Sequence, residues 1–142
     1  MTYEEKVQWL QRYQLEMQRE KELVEELVQL RNRATAIEAH IDDIPKRKTN
    51  SDIILTAVAS IIEAEKRLGD QIKKCGQIRS KTIEAITSVS KEREQLILRY
   101  RYIVGLGWEK IAEKVKICPK WCKTLHDKAI EGLEISRRGG DD

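Results

Sequence analysis

The sequence predicts an all-α protein that consists of a long antiparallel, coiled-coil-like helical hairpin followed by a C-terminal helix-turn-helix. Proline occurs only at Pro45 and Pro119, which leaves two proline-free stretches, 1–44 and 46–118, each long enough for an extended helix. Charged residues make up 36% of the 142 residues, and the chain has three Trp, four Tyr and no Phe. Because bulky fillers of a wide globular core are scarce, we expect the apolar residues to spread along helices. This length excludes a large multi-domain enzyme.

The first predicted helix runs from Glu4 to about Ile41. Its apolar residues recur at multiples of three and four positions, and Glu, Gln, Lys and Arg stand between them. This spacing is typical of one long amphipathic helix. The apolar positions are Leu10, Tyr13, Met17, Val24, Leu27, Ala34, Ile37 and Ile41.

A turn and a second long helix follow. Pro45 ends the first helix, and the polar residues 50–52 can cap the second, which is predicted from about Asp52 to Val89. Gly69 and Gly76 lie inside this helix, where each costs about 1 kcal/mol relative to alanine, so they mark possible bends or breaks. The apolar stripe of the second helix consists of Ile54, Val58, Ile61, Leu68, Ile72, Cys75, Thr82, Ile86 and Val89.

Two helices of similar length joined by a short turn fold most simply into an antiparallel hairpin, assigned here to residues 1–89. One hairpin has a thin core, and its stripes exceed what two helices can bury. We therefore expect self-association into a homo-oligomer, either a dimer or a larger bundle. The turn residues Lys46, Arg47 and Lys48 could contact phosphate or an acidic protein surface, although a basic turn is usually only solvated.

The remaining residues predict a helix-turn-helix domain over 90–135 and a flexible tail over 136–142. A helix that opens near Ser90 ends at two glycines, and a short helix follows over 108–115. Pro119 is well placed at the first position of a last, lysine-rich helix. A short helix, a tight turn and a basic helix form the helix-turn-helix pattern. The predicted inner residues of the two helices are Trp108, Ile111, Ala112 and Val115, then Cys122, Leu125, Ala129 and Leu133.

The net charge of +3 is small, but its basic excess is local, because residues 114–128 contain five lysines and one aspartate. A helix-turn-helix presents the start of its second helix to the major groove, where Lys and Thr can reach base edges or phosphates. The plainer interpretation is a solvated lysine face. Trp121 could pack on DNA or against a partner helix. The candidate DNA-contacting residues of the last helix are Lys120, Trp121, Lys123, Thr124, Asp127 and Lys128, with Lys110 and Lys114 expected at the phosphate backbone.

Metal binding and catalysis are not expected. Cys118, Cys122 and His126 are spaced four residues apart, but a structural zinc site needs four ligands, and no further Cys or His lies nearby. Neither His40 nor His126 stands with a nucleophile and a carboxylate at a recognisable spacing. The sequence therefore predicts a protein that is not an enzyme and has no cofactor.

The sequence also favours a cytosolic protein without a membrane partner. The first residues are acidic where a secretory signal is basic, and no long apolar run follows them. The most apolar segment, 53–62, is about half as long as the roughly 20 residues that span a bilayer. Three cysteines without a scaffold spacing suit a reducing compartment.

The C-terminal third resembles a known family. Residues 90–134 resemble region 4 of sigma factors, through Tyr100-Arg101-Tyr102, Glu109-Lys110-Ile111-Ala112 and Lys128-Ala129-Ile130-Glu131-Gly132-Leu133. The whole chain is more closely similar to small phage-encoded transcriptional regulators of Gram-positive bacteria, the sigma-like relatives of RinA/ArpU-type late activators. The residues that carry this second similarity are Arg101-Tyr102-Ile103, Trp108-Glu109-Lys110-Ile111-Ala112, Trp121 and Leu125-His126.

The resemblance implies a regulator in the bacterial host cytosol that binds promoter or operator DNA and activates late genes with the host RNA polymerase. Where a Ser or Thr usually caps the recognition helix and an Arg often follows, this chain has Cys118 and Pro119, which puts one cap and one DNA contact in question. Two other functions stay open. One is a small terminase-like DNA recognition subunit, and the other is a coiled-coil adaptor or anti-repressor that binds a host protein.

Overall fold

The computed structural model describes residues 1–43 and 50–135, and within these ranges the chain is helical, without a β-strand. The predicted all-α class is therefore confirmed. The basic turn residues 46–48 and the tail 136–142 lie outside the described residues. No helix in the described ranges is apolar over a stretch long enough to cross a bilayer. The α-helices are α1 (Tyr3–Ala39), α2 (Asn50–Thr87), α3 (Glu92–Leu98), α4 (Trp108–Val115) and α5 (Pro119–Glu131).

Two shorter helical segments complete the chain. A 3-10 turn over Ile41–Asp43 follows α1, and a π-helical segment over Arg99–Val104 continues α3. α2 runs through Gly69 and Gly76 as one uninterrupted helix, so the possible break does not occur there. A helix of 38 residues can carry two glycines, because each costs only about 1 kcal/mol.

The contacts between residues divide the chain into two compact units. The terminal unit comprises Met1–Glu16 and Cys75–Asp142, and the middle unit comprises Met17–Lys74. The first four turns of α1 thus belong with the C-terminal helices, although more than 50 residues separate them in sequence.

The core of the terminal unit has two clusters of buried side chains. The larger cluster joins α1, the end of α2, α3, the π-helical segment and α5. The smaller cluster joins α3, α4 and α5. The larger consists of Leu10, Ala85, Ile86, Val89, Leu98, Tyr102, Ala129, Ile130 and Leu133, and the smaller of Ile97, Ile111, Ala112 and Cys122.

The middle unit pairs the rest of α1 with the first part of α2, and its packing differs from the predicted stripes. Leu27 and Ala64 are buried, as is the polar Gln71. Several residues expected in the stripes of both helices are exposed instead. In α2, more than one side is apolar, so its three-and-four repeat fits more than one facing direction. The exposed stripe residues are Val24, Ile54, Val58 and Ile72.

Candidate nucleic-acid interface

The turn between α4 and α5 is three residues long and is built by local backbone geometry. Lys116 adopts the left-handed conformation, with φ 60° and ψ 43°, and its N–H donates to the Ala112 carbonyl, which ends α4. Cys118 is extended, with φ −71° and ψ 153°, and makes no side-chain cap. Pro119 then starts α5 as predicted, at a position where no backbone N–H donor is needed.

α4 and α5 pack on each other largely through the predicted inner residues. Ile111 and Ala112 of α4 are buried in one cluster with Cys122 of α5, and Leu125 packs partly buried against it. Trp108, which was predicted to be core, is half-buried at the same cluster. The side of α5 opposite this packing is largely exposed.

The outward side of α5 carries most of the candidate DNA-contacting residues. The exposed ones are Lys120, Trp121, Lys123, Asp127 and Lys128, and no acidic residue occupies the first turn of α5. The helix N-terminus adds a partial positive charge near the first lysines. This side therefore offers cations and hydrogen-bond donors to an anionic surface.

Trp121 and Thr124 complete this surface. The Trp121 side chain is 44% exposed, and the Lys128 Nζ lies 5.7 Å from its ring centroid. Thr124 is half-buried, and its hydroxyl donates to the Lys120 carbonyl at 3.2 Å. A hydroxyl in this arrangement keeps its acceptor lone pairs for an outside donor.

Lys110 and Lys114, the two candidate residues of α4, are also exposed. The Lys114 Nζ lies 5.9 Å from the centroid of the Tyr100 ring. Both lysines are therefore accessible from solvent, as a phosphate contact requires.

Asp127 differs from the other candidates, because its carboxylate accepts hydrogen bonds from two side chains of the protein, although 58% of its side chain is exposed. Asp127 Oδ1 accepts a hydrogen bond from the Tyr3 hydroxyl at 2.7 Å and another from His126 Nδ1 at 3.0 Å. Burial raises the pKa of Asp127, but these hydrogen bonds outweigh it and leave the pKa below its usual value. The carboxylate holds α1 to α5 and stays negative.

His126 lies at the centre of this network and is buried. Its Nε2 is 2.7 Å from the Tyr102 hydroxyl, and the Trp108 ring packs edge-on at 5.0 Å between centroids. Because the Asp127 carboxylate can only accept, the proton of the neutral ring belongs on Nδ1, and Nε2 accepts from Tyr102. Burial lowers the pKa of His126 below 6.5, despite the opposing effect of Asp127. Burial also raises the pKa of Tyr102 to about 12.

Two residues of α1 connect that helix to α5 and to the π-helical segment. Sequence reasoning did not assign either of them to this region. The Lys6 Nζ donates to the Ile130 carbonyl at 3.0 Å and to the Glu131 carbonyl at 3.2 Å, at the negative end of the α5 dipole. The Gln14 Nε2 donates to the Tyr102 carbonyl at 3.0 Å and to the Ile103 carbonyl at 2.9 Å. These bonds satisfy backbone acceptors that a helix end leaves unpaired.

Gly105 ends the π-helical segment in close contact with Gln14. Its φ is +87°, a left-handed conformation that L side chains rarely adopt, and its N–H donates to the Tyr100 carbonyl. A Cβ at this position would lie 2.8 Å from the Gln14 Oε1. The requirement for glycine here therefore has both a backbone and a packing cause.

The possible metal ligands of α5 are not grouped. Cys122 is buried and Cys118 is exposed, and both ring nitrogens of His126 have protein partners. Burial raises the pKa of the Cys122 thiol, which disfavours the thiolate that binds metals. Within the described ranges, no three His, Cys, Asp or Glu side chains are placed to hold a metal ion.

Comparisons with models of known protein families, with curated proteins and with solved structures found no match for this chain. The function is therefore argued from the residues and geometry of the terminal unit. Its main features are a three-residue turn between two packed helices and a basic outward side of the second helix.

Proposed function

We propose that this protein is a non-enzymatic transcriptional regulator that binds duplex DNA, with α4 and α5 as a helix-turn-helix and α5 as the recognition helix. The observation that carries the proposal is the exposed basic side of α5, which begins directly after the tight turn and lies opposite the buried side. A helix of 13 residues on a short scaffold helix can enter the major groove by its first turns.

The residues divide into two roles in this proposal. Lys120, Lys123 and Thr124 lie on the first two turns of α5, where side chains reach base edges. Lys110 and Lys114 on α4 bind phosphates and fix the orientation of the domain. Asp127 is assigned to holding α5 in place through Tyr3 and His126, rather than to reading a base.

The regulatory context comes from the resemblance to phage-encoded sigma-like activators and not from the geometry. On that basis, the protein binds a promoter or operator and activates late genes with the host RNA polymerase. The lysines of α5 support the DNA-binding step, and the contact with polymerase is part of the proposal.

Fluorescence anisotropy with labelled duplexes tests the DNA-binding step. The full-length protein is titrated onto a pool of randomised 40-base-pair duplexes at several salt concentrations, beside a Lys120→Ala/Lys123→Ala variant. We expect binding that weakens steeply with salt, because bound lysines release counterions. The double variant should bind more weakly and show a shallower salt slope.

Arg19→Ala/Arg33→Ala is the matched control, because it removes two exposed basic side chains from the middle unit. It should retain the binding of the unmodified protein. Equal losses in the two double variants would contradict a specific role of α5. Absence of DNA binding at every salt concentration would refute the proposal and favour a protein-binding adaptor.

A further inference from the structure

The middle unit exposes a set of large aliphatic side chains. Seven of them are between 41% and 64% exposed, although side chains of this type are usually buried. Isolated exposed aliphatic residues are common, but a contiguous group marks an interaction surface. The seven residues are Val24, Val28, Ile54, Leu55, Val58, Ile62 and Ile72.

Two ion pairs define how α1 and α2 are aligned within this unit. Glu26 pairs with Arg67 at 2.7 Å, and Arg31 pairs with Glu65 at 3.1 Å. The residue number therefore rises along α1 as it falls along α2, which makes the two segments antiparallel. Each residue can be placed by its rotation about the helix axis, measured from the residues that face the other helix. In an antiparallel pair, residues of the two helices that are rotated in the same sense lie on the same side of the pair.

This rule places the seven aliphatic residues on one side of the middle unit. Successive residues of a helix are about 100° apart. On α1 the buried Leu27 is the reference, and Val24 and Val28 are rotated from it about the helix axis by about 60° and 100° in one sense. Counted from Ala57, the exposed aliphatic residues of α2 are rotated by about 60° to 160° in the same sense. Arg31 and Glu65 also fall on this side, which agrees with their observed contact.

The opposite side of the middle unit has a different character. A cleft of about 230 Å³ opens there, lined by residues of both helices. The residues that line the cleft are rotated from the inner stripes in the sense opposite to that of the seven aliphatic residues. The cleft and the aliphatic residues therefore lie on opposite sides of the helix pair. They include Leu30, Arg33, Ile37, Ile53 and Thr56.

The aliphatic side of α2 has a regular repeat that is complementary to itself. Positions 55, 58, 62, 65, 69 and 72 alternate by three and four residues, as in a coiled-coil seam about 26 Å long. If a second copy of α2 lies antiparallel along this seam, Leu55 of one copy faces Ile72 of the other. Val58 then faces Gly69, and Ile62 faces Glu65. A Cβ at Gly69 would meet nothing within 4 Å, so Gly69 leaves space for a valine from a second helix.

We propose that this side is a dimer interface, on which α2 of a second copy packs antiparallel to α2 of the first. The seven half-exposed side chains leave on the order of 500 Å² of apolar surface in water on each copy. Complete burial of this surface on two copies would remove about 1,000 Å² from water, which approaches the roughly 1,200 Å² at the lower end of specific interfaces. Self-complementarity makes a second copy the partner. The dimer does not depend on DNA binding.

Sedimentation velocity of the full-length protein between about 1 and 100 µM tests the proposal. We expect a dimer, and we expect Ile62→Glu to weaken it by at least about 100-fold, because the new carboxylate would replace apolar surface and lie opposite the Glu65 carboxylate of the second copy. Leu15→Glu is the matched control, since Leu15 is an exposed aliphatic residue of α1 outside this side. It should leave the dimer unchanged. A strictly monomeric protein, or equal effects of the two substitutions, would overturn the interface.

Two further variants test the register. In a single copy, the side chain of Gly69→Leu meets no neighbouring atom at its Cβ, so helicity should be retained. The dimer should weaken, because the leucine would occupy the space into which Val58 of the second copy packs. A stronger dimer would overturn the register. In a Cys118→Ser background, Val58→Cys with Gly69→Cys should form a covalent dimer under mild oxidation. Efficient cross-linking by Val58→Cys alone would indicate a parallel pair and refute the antiparallel arrangement.

Discussion

Replacing Leu10 with alanine should perturb the proposed DNA-binding region from a position more than 75 residues before it in the sequence. Leu10 is fully buried, at 0% exposure, in one cluster with Ile86, Leu98 and Ile130. α5 contributes Ile130 to this cluster, and Lys6 and Tyr3 of α1 bond to α5 from the outside. Truncation of the Leu10 side chain should therefore lower the free energy of unfolding of the whole terminal unit.

The size of the effect follows from the burial. A fully buried leucine loses its transfer free energy on truncation and leaves a cavity, which together cost about 2–5 kcal/mol. Because Leu10 contacts rigid helices on several sides, we expect about 3 kcal/mol. A small domain is stable by about 5–15 kcal/mol, so this loss is a large share. The midpoint of thermal unfolding should fall by roughly 10–20 °C.

Urea denaturation followed by tryptophan fluorescence measures this effect. Trp9, Trp108 and Trp121 are the three tryptophans of the chain and all belong to the terminal unit, so the signal reports on that unit. Leu15→Ala is the control, because Leu15 lies on the same helix with 70% of its surface exposed, and its truncation should cost less than about 0.5 kcal/mol. Equal midpoints for the two variants would refute the packing of α1 against the C-terminal helices.

Three other predictions follow from particular residues. Gly105→Ala should lower the free energy of unfolding by about 1–2 kcal/mol in urea denaturation, because φ is +87° and a Cβ would meet Gln14. Stability should fall as the pH is lowered below 6.5, because the lowered pKa of His126 lets the unfolded chain bind the proton more readily. In thermal unfolding between pH 7.5 and 5.5, His126→Gln should flatten this dependence, whereas a change at His40, whose side chain is 73% exposed, should not. Lys114→Ala should reduce the salt slope of DNA binding by about one unit without altering the preferred site. An unchanged slope would remove Lys114 from the phosphate contacts.

The elements that sequence reasoning predicted well depend on local signals. Pro119 starts α5, and the start and end of α4 match the predicted 108–115. Cys122, Ala129 and Leu133 are buried as expected from their spacing. Helix starts and one-sided burial are visible in sequence because each depends on residues within a few turns.

The features that sequence reasoning did not predict depend on contacts between distant segments of the chain. Tyr3 and Asp127 are 124 residues apart, and no local pattern pairs them. The spacing of His126 allows a metal-ligand interpretation, but its burial depends on Tyr102, Asp127 and Trp108. The predicted stripe of α2 was partly wrong because several of its sides are apolar, and only packing selects between them.

The proposed role of α5 is to read a DNA sequence. The most direct measurement is repeated selection of bound duplexes from a randomised library by the full-length protein, followed by sequencing of the enriched pool. We expect a discrete motif that is lost with Lys123→Ala, at a cost of about 1–3 kcal/mol on that motif, and kept with Arg19→Ala. No enriched motif, or the same motif at the same affinity with Lys123→Ala, would contradict it.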